Sequence, residues 1–302
     1  MLPLNGIEQA VSDRYANAAG AREEALCCPV NYDPKHLKII PSEVIEKDYG
    51  CGDPSRHVHP GETVLDLGSG AGKICFIAAQ VVGPSGRVIG VDMTDAMLEV
   101  ARRNAPVVAD RLGYANVEFH KARIQDLALD LELLDRELAA HAYAGAQGFL
   151  AMEAIADELR AGKPLIKDNS IDVVVSNCVL NLVAPRAKQQ LFRELFRVAK
   201  PGGRAVISDI IAAEPVPESM QNDPELWSGC ISGAMTLDDF VRGFEHAGFP
   251  EVTVLERGAE RWRVVNGIEF WSVTVQAAKT TRKLTPLPRM NWDIRKVPTK
   301  CC

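Results

Sequence analysis

Short apolar runs alternate with stretches of helical periodicity over most of the chain. Residues 64–67 form an apolar run that ends in a cluster of glycines, which reads as a buried parallel strand. Residues 73–82 follow, with Ile74, Ile77, Ala78 and Val81 at helical spacing. The next strand is 87–91, closed by Asp92, and 96–104 is again helical. Residues 117–120, 171–176 and 204–211 read as the third, fourth and fifth strands. Between the last two lies an amphipathic helix, 188–198, stopped by Pro201-Gly202-Gly203. This rhythm predicts an α/β fold: a doubly wound, Rossmann-like parallel sheet with right-handed crossovers.

Two segments break the rhythm. Residues 127–162 are rich in Ala, Leu and Glu and predict a helical pair inserted between the third and fourth strands. Residues 214–224 are Pro-rich and polar, an excursion out of the sheet. Residues 249–257 and 270–277 then read as strands that finish its edge.

Composition narrows the function classes. The 302 residues, 47% hydrophobic and 25% charged, suffice for one large core, or one core with a smaller appendage. No apolar run approaches bilayer length, and no basic-then-apolar leader pattern opens the chain, so the expectation is a cytoplasmic protein without a membrane partner. A net charge of -6 disfavours a nucleic-acid partner, which would require clustered Lys and Arg. The tail, 281–302, departs from that balance with six basic residues against Asp293 alone.

Eight cysteines are present: Cys27, Cys28, Cys51, Cys75, Cys178, Cys230, Cys301 and Cys302. In a cytosolic chain they favour metal, catalytic or redox roles over permanent disulfides. No CxxC pair occurs. Cys51 with His57 and His59 offers three zinc ligands, at irregular spacing. Cys75 reads as a small buried apolar residue.

The loop Leu67-Gly68-Ser69-Gly70-Ala71-Gly72-Lys73 carries the first recognisable chemistry. Glycines let the backbone turn tightly and let a ligand approach the free N–H groups of the helix that follows. Lys73 stands where a dinucleotide fingerprint needs its third glycine, and Leu67 and Ile74 break both ends of a phosphate-binding P-loop. After Val-Leu-Asp, Gly68-x-Gly70-x-Gly72 instead resembles the first motif of the class I S-adenosylmethionine (SAM)-dependent methyltransferases, whose cofactor has no phosphate. Asp92, ending the second strand, can accept both hydrogen bonds of a ribose diol. The resemblance places Asp66 near the methionine end of SAM, and Ile124 and Gln125 beside the adenine. Ser69, Met93 and Asn177 complete the expected cofactor set of Asp66, Gly68, Ser69, Gly70, Gly72, Asp92, Met93, Ile124, Gln125 and Asn177.

In open α/β sheets ligands bind at the carboxyl ends of the strands, so Cys178, after the fourth strand, should face the methyl donor. Tyr49-Gly50-Cys51-Gly52, Val91-Asp92-Met93-Thr94, Ser176-Asn177-Cys178-Val179-Leu180-Asn181-Leu182-Val183 and the Trp227–Ala234 stretch around Cys230 occur in an order that resembles the arsenite methyltransferase family. The likeness runs from about Tyr49 to Ala234. It implies that Cys178 and Cys230 hold trivalent arsenic beside SAM, with Cys51 as the further sulfur ligand. It also implies that Cys51 and a more N-terminal cysteine, Cys28 rather than Cys27, serve the redox step after methyl transfer.

Thiolates are the natural ligands of a soft, thiophilic ion, and three sulfurs leave the arsenic lone pair free to meet a methyl group. The expected function is SAM-dependent methylation of arsenite, with a trivalent arsenical (free or as a thiol conjugate) as substrate and a thiol reductant such as thioredoxin or glutathione as partner. Methylation of another small thiophilic acceptor, or arsenic binding without catalysis, are the competing functions. The expected organisation is a SAM-binding domain over 1–212 (with an N-terminal helical segment, 1–60), an arsenic-binding region over 213–280, and the basic tail. Set against the resemblance, the family's larger C-terminal region is expected to be reduced to that tail, where Cys301-Cys302 offers a vicinal pair able to capture a thiophilic ion.

Overall fold

The computed structural model describes residues 4–20, 23, 30–47, 49–140, 143–280 and 293–297. Their strands, in chain order, are β1 (Thr63–Leu67), β2 (Arg87–Asp92), β3 (Val117–Lys121), β4 (Ile171–Asn177), β5 (Ala199–Ala212), β6 (Glu251–Arg257), β7 (Arg263–Val265) and β8 (Ile268–Ala278). They form one sheet in the order β3-β2-β1-β4-β5-β8-β6, with β7 pairing β8. The first five strands run parallel, as their alternation with helices requires. β8 is antiparallel to both β5 and β6, so the last strand in sequence inserts inside the edge instead of extending it. The two late segments therefore join the main sheet.

Helices cover both faces. Lys73–Val82 buries Ile74, Cys75, Phe76, Ile77, Ala78 and Ala79 behind β1 and β2. Asp95–Leu112 runs eight residues past the predicted end at Asn104, through Pro106. Proline inside a helix forfeits a hydrogen bond and costs about 3 kcal/mol; burial of Val108 and the left-handed cap at Gly113 lie beyond it and favour continuation. On the other face, Pro185–Val198 buries Leu191, Phe192, Leu195 and Val198. Against it packs Leu237–Ala247, a helix absent from the sequence prediction. That helix is capped by Thr236, whose hydroxyl accepts the Asp239 N–H at 3.2 Å, and it presents Phe240 and Phe244 to Phe192. Edge-to-face ring pairs of this kind add about 0.5–1.5 kcal/mol each beyond area burial.

The insertion forms the expected helical pair, Leu131–Ala139 and Gly145–Gly162, packed around Leu129, Ala156 and Leu159. Arg160 ties it to the sheet's end through Asp126 at 2.8 Å. No described residue of 127–162 lines the central cleft. Among the described residues no helix is long and apolar enough to cross a membrane.

Candidate active site

The strand order reverses between β1 and β4, and a cleft opens there at the carboxyl ends of the strands. Its first half is the glycine loop. The Gly68 and Ser69 N–H groups both donate to the Val91 carbonyl, at 2.8 and 3.0 Å, and pin the loop to β2. Gly70 (φ +52°) faces open space, whereas a Cβ on Gly72 (φ +92°) would lie 2.8 Å from the Phe119 ring. Gly72 thus shapes the turn from behind and does not line the cleft.

Asp92 is aimed by two backbone donors, Gly70 N–H at 2.9 Å and Thr94 N–H at 2.8 Å. Burial nevertheless raises its pKa above the ordinary carboxylate value. Asp66 lies almost wholly buried in β1, where burial pushes its pKa up to about 7. The Cys75 thiol donates to it at 3.2 Å, so Cys75, fully buried, also orients a cleft carboxyl. Asp66, Gly68, Ser69, Gly70, Asp92, Met93, Ile124, Gln125 and Asn177 all line this one cleft. The Ser69 hydroxyl is buried there without a hydrogen-bond partner among the described residues, a donor awaiting an acceptor. Two aimed carboxylates, an apolar wall at Ile124 and an orphaned hydroxyl fit a nucleoside joined to an amino acid.

The second half of the cleft is sulfur. Cys178 lines it directly, and its Sγ is bonded to that of Cys51, with Cα atoms 5.8 Å apart. Asn177 makes this pairing possible. Its Oδ1 accepts the Cys51 and Gly52 N–H groups at 2.8 and 3.1 Å, while its Nδ2 donates to Gly52 O at 2.7 Å and to the Tyr32 hydroxyl at 3.2 Å. The amide's two donors and two acceptor sites are thereby used. Asn177 was expected as a cofactor residue; in this structure its polar atoms serve the Cys51 loop instead. The closeness explains Gly50, where a Cβ would overlap the Asn177 amide, while a Cβ on Gly52 would lie 2.6 Å from the Ser208 hydroxyl.

Cys230 lies outside the disulfide, buried and adjacent: its thiol donates to the Cys178 carbonyl at 3.3 Å. Cys178 and Cys230 are both left-handed, at φ +61° and +63°, a conformation uncommon for residues with a Cβ and concentrated at functional sites. Apolar side chains, including Ile210, Met220, Ile231 and Phe270, enclose the three sulfurs.

Behind them lies a buried polar group that was not foreseen. A carboxylate oxygen of Asp209 and the sulfurs of Cys51 and Cys178 all lie within 4.8 Å of one another. Asp209 accepts from Leu180 N–H at 3.0 Å, Ile210 N–H at 2.7 Å and Asn181 Nδ2 at 2.9 Å. Burial raises its pKa and lowers that of nearby buried Lys188, which donates to the Gly233 carbonyl. Tyr15, from the helix Leu4–Gly20, reaches the same cleft, where burial raises the pKa of its hydroxyl well above the ordinary value.

Two expectations change. Cys51 was paired with Cys28 for redox work, but its partner here is Cys178; Cys27, Cys28, Cys301 and Cys302 lie outside the described residues. With Cys51 and Cys178 bonded to each other, neither sulfur can ligate until the bond is reduced. His57 and His59 do not gather with Cys51: His57 approaches Glu256, and His59 turns to Glu62 and Arg204. The signal for Asp209 was present, one acid in the apolar run of β5, but its neighbours are distant in sequence.

A methyltransferase-domain family matches residues 58–141 and 147–248. The crystal structure of CrArsM, an arsenic(III) S-adenosylmethionine methyltransferase from Chlamydomonas reinhardtii, is similar with a TM-score of 0.66. It is 32% identical, and the match covers 86% of this chain and 77% of that one. The arsenite methyltransferase of Halobacterium salinarum is 40% identical over 68% of this chain and 42% of its own length. The mouse arsenite methyltransferase is 32% identical over 79% and 54%. The chain spans about half the length of the curated relatives it matches. By fold, cleft and kinship, the chain belongs to the arsenite methyltransferase family of SAM-dependent methyltransferases.

Proposed function

We propose that this chain methylates trivalent arsenic from SAM, with Cys178, Cys230 and Cys51 as the sulfur ligands, and so contributes to arsenic detoxification. The observation that carries the reading is that Cys178 lines the same cleft as Asp66, Gly68 and Asp92. Bound there, SAM supplies an electrophilic sulfonium methyl. Asp92 would hold the ribose, Ile124 and Gln125 the adenine, and Asp66 the methionine ammonium. The left-handed turns at Cys178 and Cys230 project both residues into one apolar pocket, which suits a soft ion and excludes water.

Methyl transfer to the arsenic lone pair formally oxidises it by two electrons. Two thiols joining as Cys51–Cys178 release two electrons and two protons, which balances return to the trivalent state. An external dithiol of the thioredoxin or glutathione type must then reopen the bond, as the reducing cytoplasm would allow.

The test is incubation with arsenite, SAM and a thiol reductant, followed by arsenic speciation. Methylated arsenicals are expected only with all three present. Their absence from protein that binds SAM would overturn the proposal. Cys51→Ser should spare methylation of a monomethylated trivalent arsenical more than that of arsenite.

A further inference from the structure

Asp209 takes no part in the methyl transfer described above, yet it is only 1% exposed and stands against the sulfurs. One of its carboxylate oxygens and the Sγ atoms of Cys51 and Cys178 all lie within 4.8 Å of one another. Three donors fix it there: Leu180 N–H, Ile210 N–H and Asn181 Nδ2, at 3.0, 2.7 and 2.9 Å. Metal-ligating carboxylates are oriented by hydrogen bonds of this kind.

While the two sulfurs share a bond, neither is a ligand. An external dithiol supplies two electrons and two protons to open it, which leaves two thiols beside one carboxylate. A tetrahedral zinc ion, with sulfur at about 2.3 Å and oxygen at about 2.0 Å, spaces its ligand atoms roughly 3.5–3.8 Å apart. Separations of that size lie inside the 4.8 Å limit. Two soft sulfurs with one hard oxygen suit a borderline divalent ion, whereas magnesium and calcium take oxygen ligands. Charge agrees with this choice. Two thiolates and a carboxylate carry three negative charges; a divalent cation and the Lys188 ammonium, buried near Asp209, carry three positive. The assembly is then neutral among Ile210, Met220, Ile231 and Phe270, where a net charge would be costly.

We propose that the reduced protein holds one divalent cation of the zinc class through Cys51, Cys178 and Asp209, with the fourth position open to water. Binding releases the two thiol protons to solvent and withholds both sulfurs from reoxidation. Cys51 thus keeps a role as a zinc ligand, with partners at the end of β4 and within β5 instead of His57 and His59. Trivalent arsenic takes sulfur and has no use for the carboxylate, so it displaces the ion, a consequence that rests on the arsenic reading above.

The experiment titrates zinc into the reduced full chain by calorimetry. The chain carries Cys27→Ser, Cys28→Ser, Cys301→Ser and Cys302→Ser, so that zinc held by those thiols is not counted. One ion per chain is expected, and X-ray absorption of the loaded protein should show two sulfurs at about 2.3 Å with oxygen at about 2.0 Å. No binding, or a shell of sulfur alone, would overturn the assignment, and neither readout needs a change at Asp209. Asp209→Asn should weaken zinc by about a hundredfold or more, since a lost ligand costs more than the roughly 10–100-fold of a lost outer partner. Arsenite affinity should fall far less; an equal fall in both would make Asp209 merely structural and overturn its role as a ligand. Arsenite should release the zinc one for one, read with a zinc-sensitive dye, and arsenite bound with zinc retained would overturn the shared site. Zinc bound by a chain with no affinity for arsenite would instead overturn the arsenic reading and support the metal site.

Discussion

The cofactor half of the cleft draws on short segments that each follow the end of one of three successive strands, whereas the sulfur half collects Cys51, Cys178 and Cys230 across gaps of 127 and 52 residues. In the first half each group follows directly from a strand end: the glycine loop from β1, Asp92 from β2, Ile124 and Gln125 from the segment after β3. Local backbone geometry suffices to aim them. In the second half no local rule brings the sulfurs together. Asn177 carries the Cys51 loop onto the end of β4, and the excursion after β5 lays Cys230 against the Cys178 carbonyl. The halves should therefore fail separately.

Cys178→Ser is the harshest test of that separation. It removes the sulfur shared by the disulfide and the cleft, and arsenite binding and methylation should both disappear while SAM affinity stays within about threefold of wild type. A parallel loss of SAM binding would show that the halves are one structural unit. Asp92→Ala should do the reverse, weakening SAM by about a hundredfold through loss of its charge-assisted bonds, with arsenite binding by the reduced protein unchanged.

Asp66 sharpens the comparison through pH. Its folded pKa of about 7 lies above the unfolded carboxylate value near 3.9. The unliganded protein therefore gains stability from the protonated group at low pH, and loses it as pH rises from about 4 through about 7. A cofactor ammonium needs the ionised form, so SAM affinity should be about tenfold weaker at pH 6 than at pH 8, measured by titration calorimetry. Asp66→Asn should flatten both dependences; a wild-type affinity that does not vary with pH would remove Asp66 from the ammonium site.

Asn177→Ala should have the smallest effect and divide the halves most finely. Loss of its four hydrogen bonds should destabilise the fold by about 1–3 kcal/mol and lower the fraction of Cys51–Cys178 disulfide at a fixed redox potential, read by mass spectrometry after alkylation. A larger effect on SAM affinity than on the disulfide would return Asn177 to the cofactor.

Much of the fold was legible because its signals are periodic. Runs such as 64–67 and 171–176 are apolar enough to mark strands covered on both faces, and Leu191, Phe192, Leu195 and Val198 mark one helix face. The helix Leu237–Ala247 is equally readable from Thr236, Leu237, Phe240, Val241, Phe244 and Gly248, yet it lies between the excursion at 214–224 and the strand read from 249, where no element was assigned. The helix read over 96–104 runs on through Pro106, because the proline's local cost is outweighed by buried residues further along.

The sequence by itself determined the parallel sheet, the glycine loop and its acid, and the family resemblance of the segments around Cys51, Cys178 and Cys230, since each of these depends on neighbours a few residues away. Only the tertiary structure decided that Cys51 joins Cys178, that Asn177 serves the Cys51 loop, that Asp209 stands behind the sulfurs and that Lys73 is held over Tyr32. Those relations join residues on different strands and loops. Such contacts arise from packing of the whole sheet, and spacing along one segment carries no information about them.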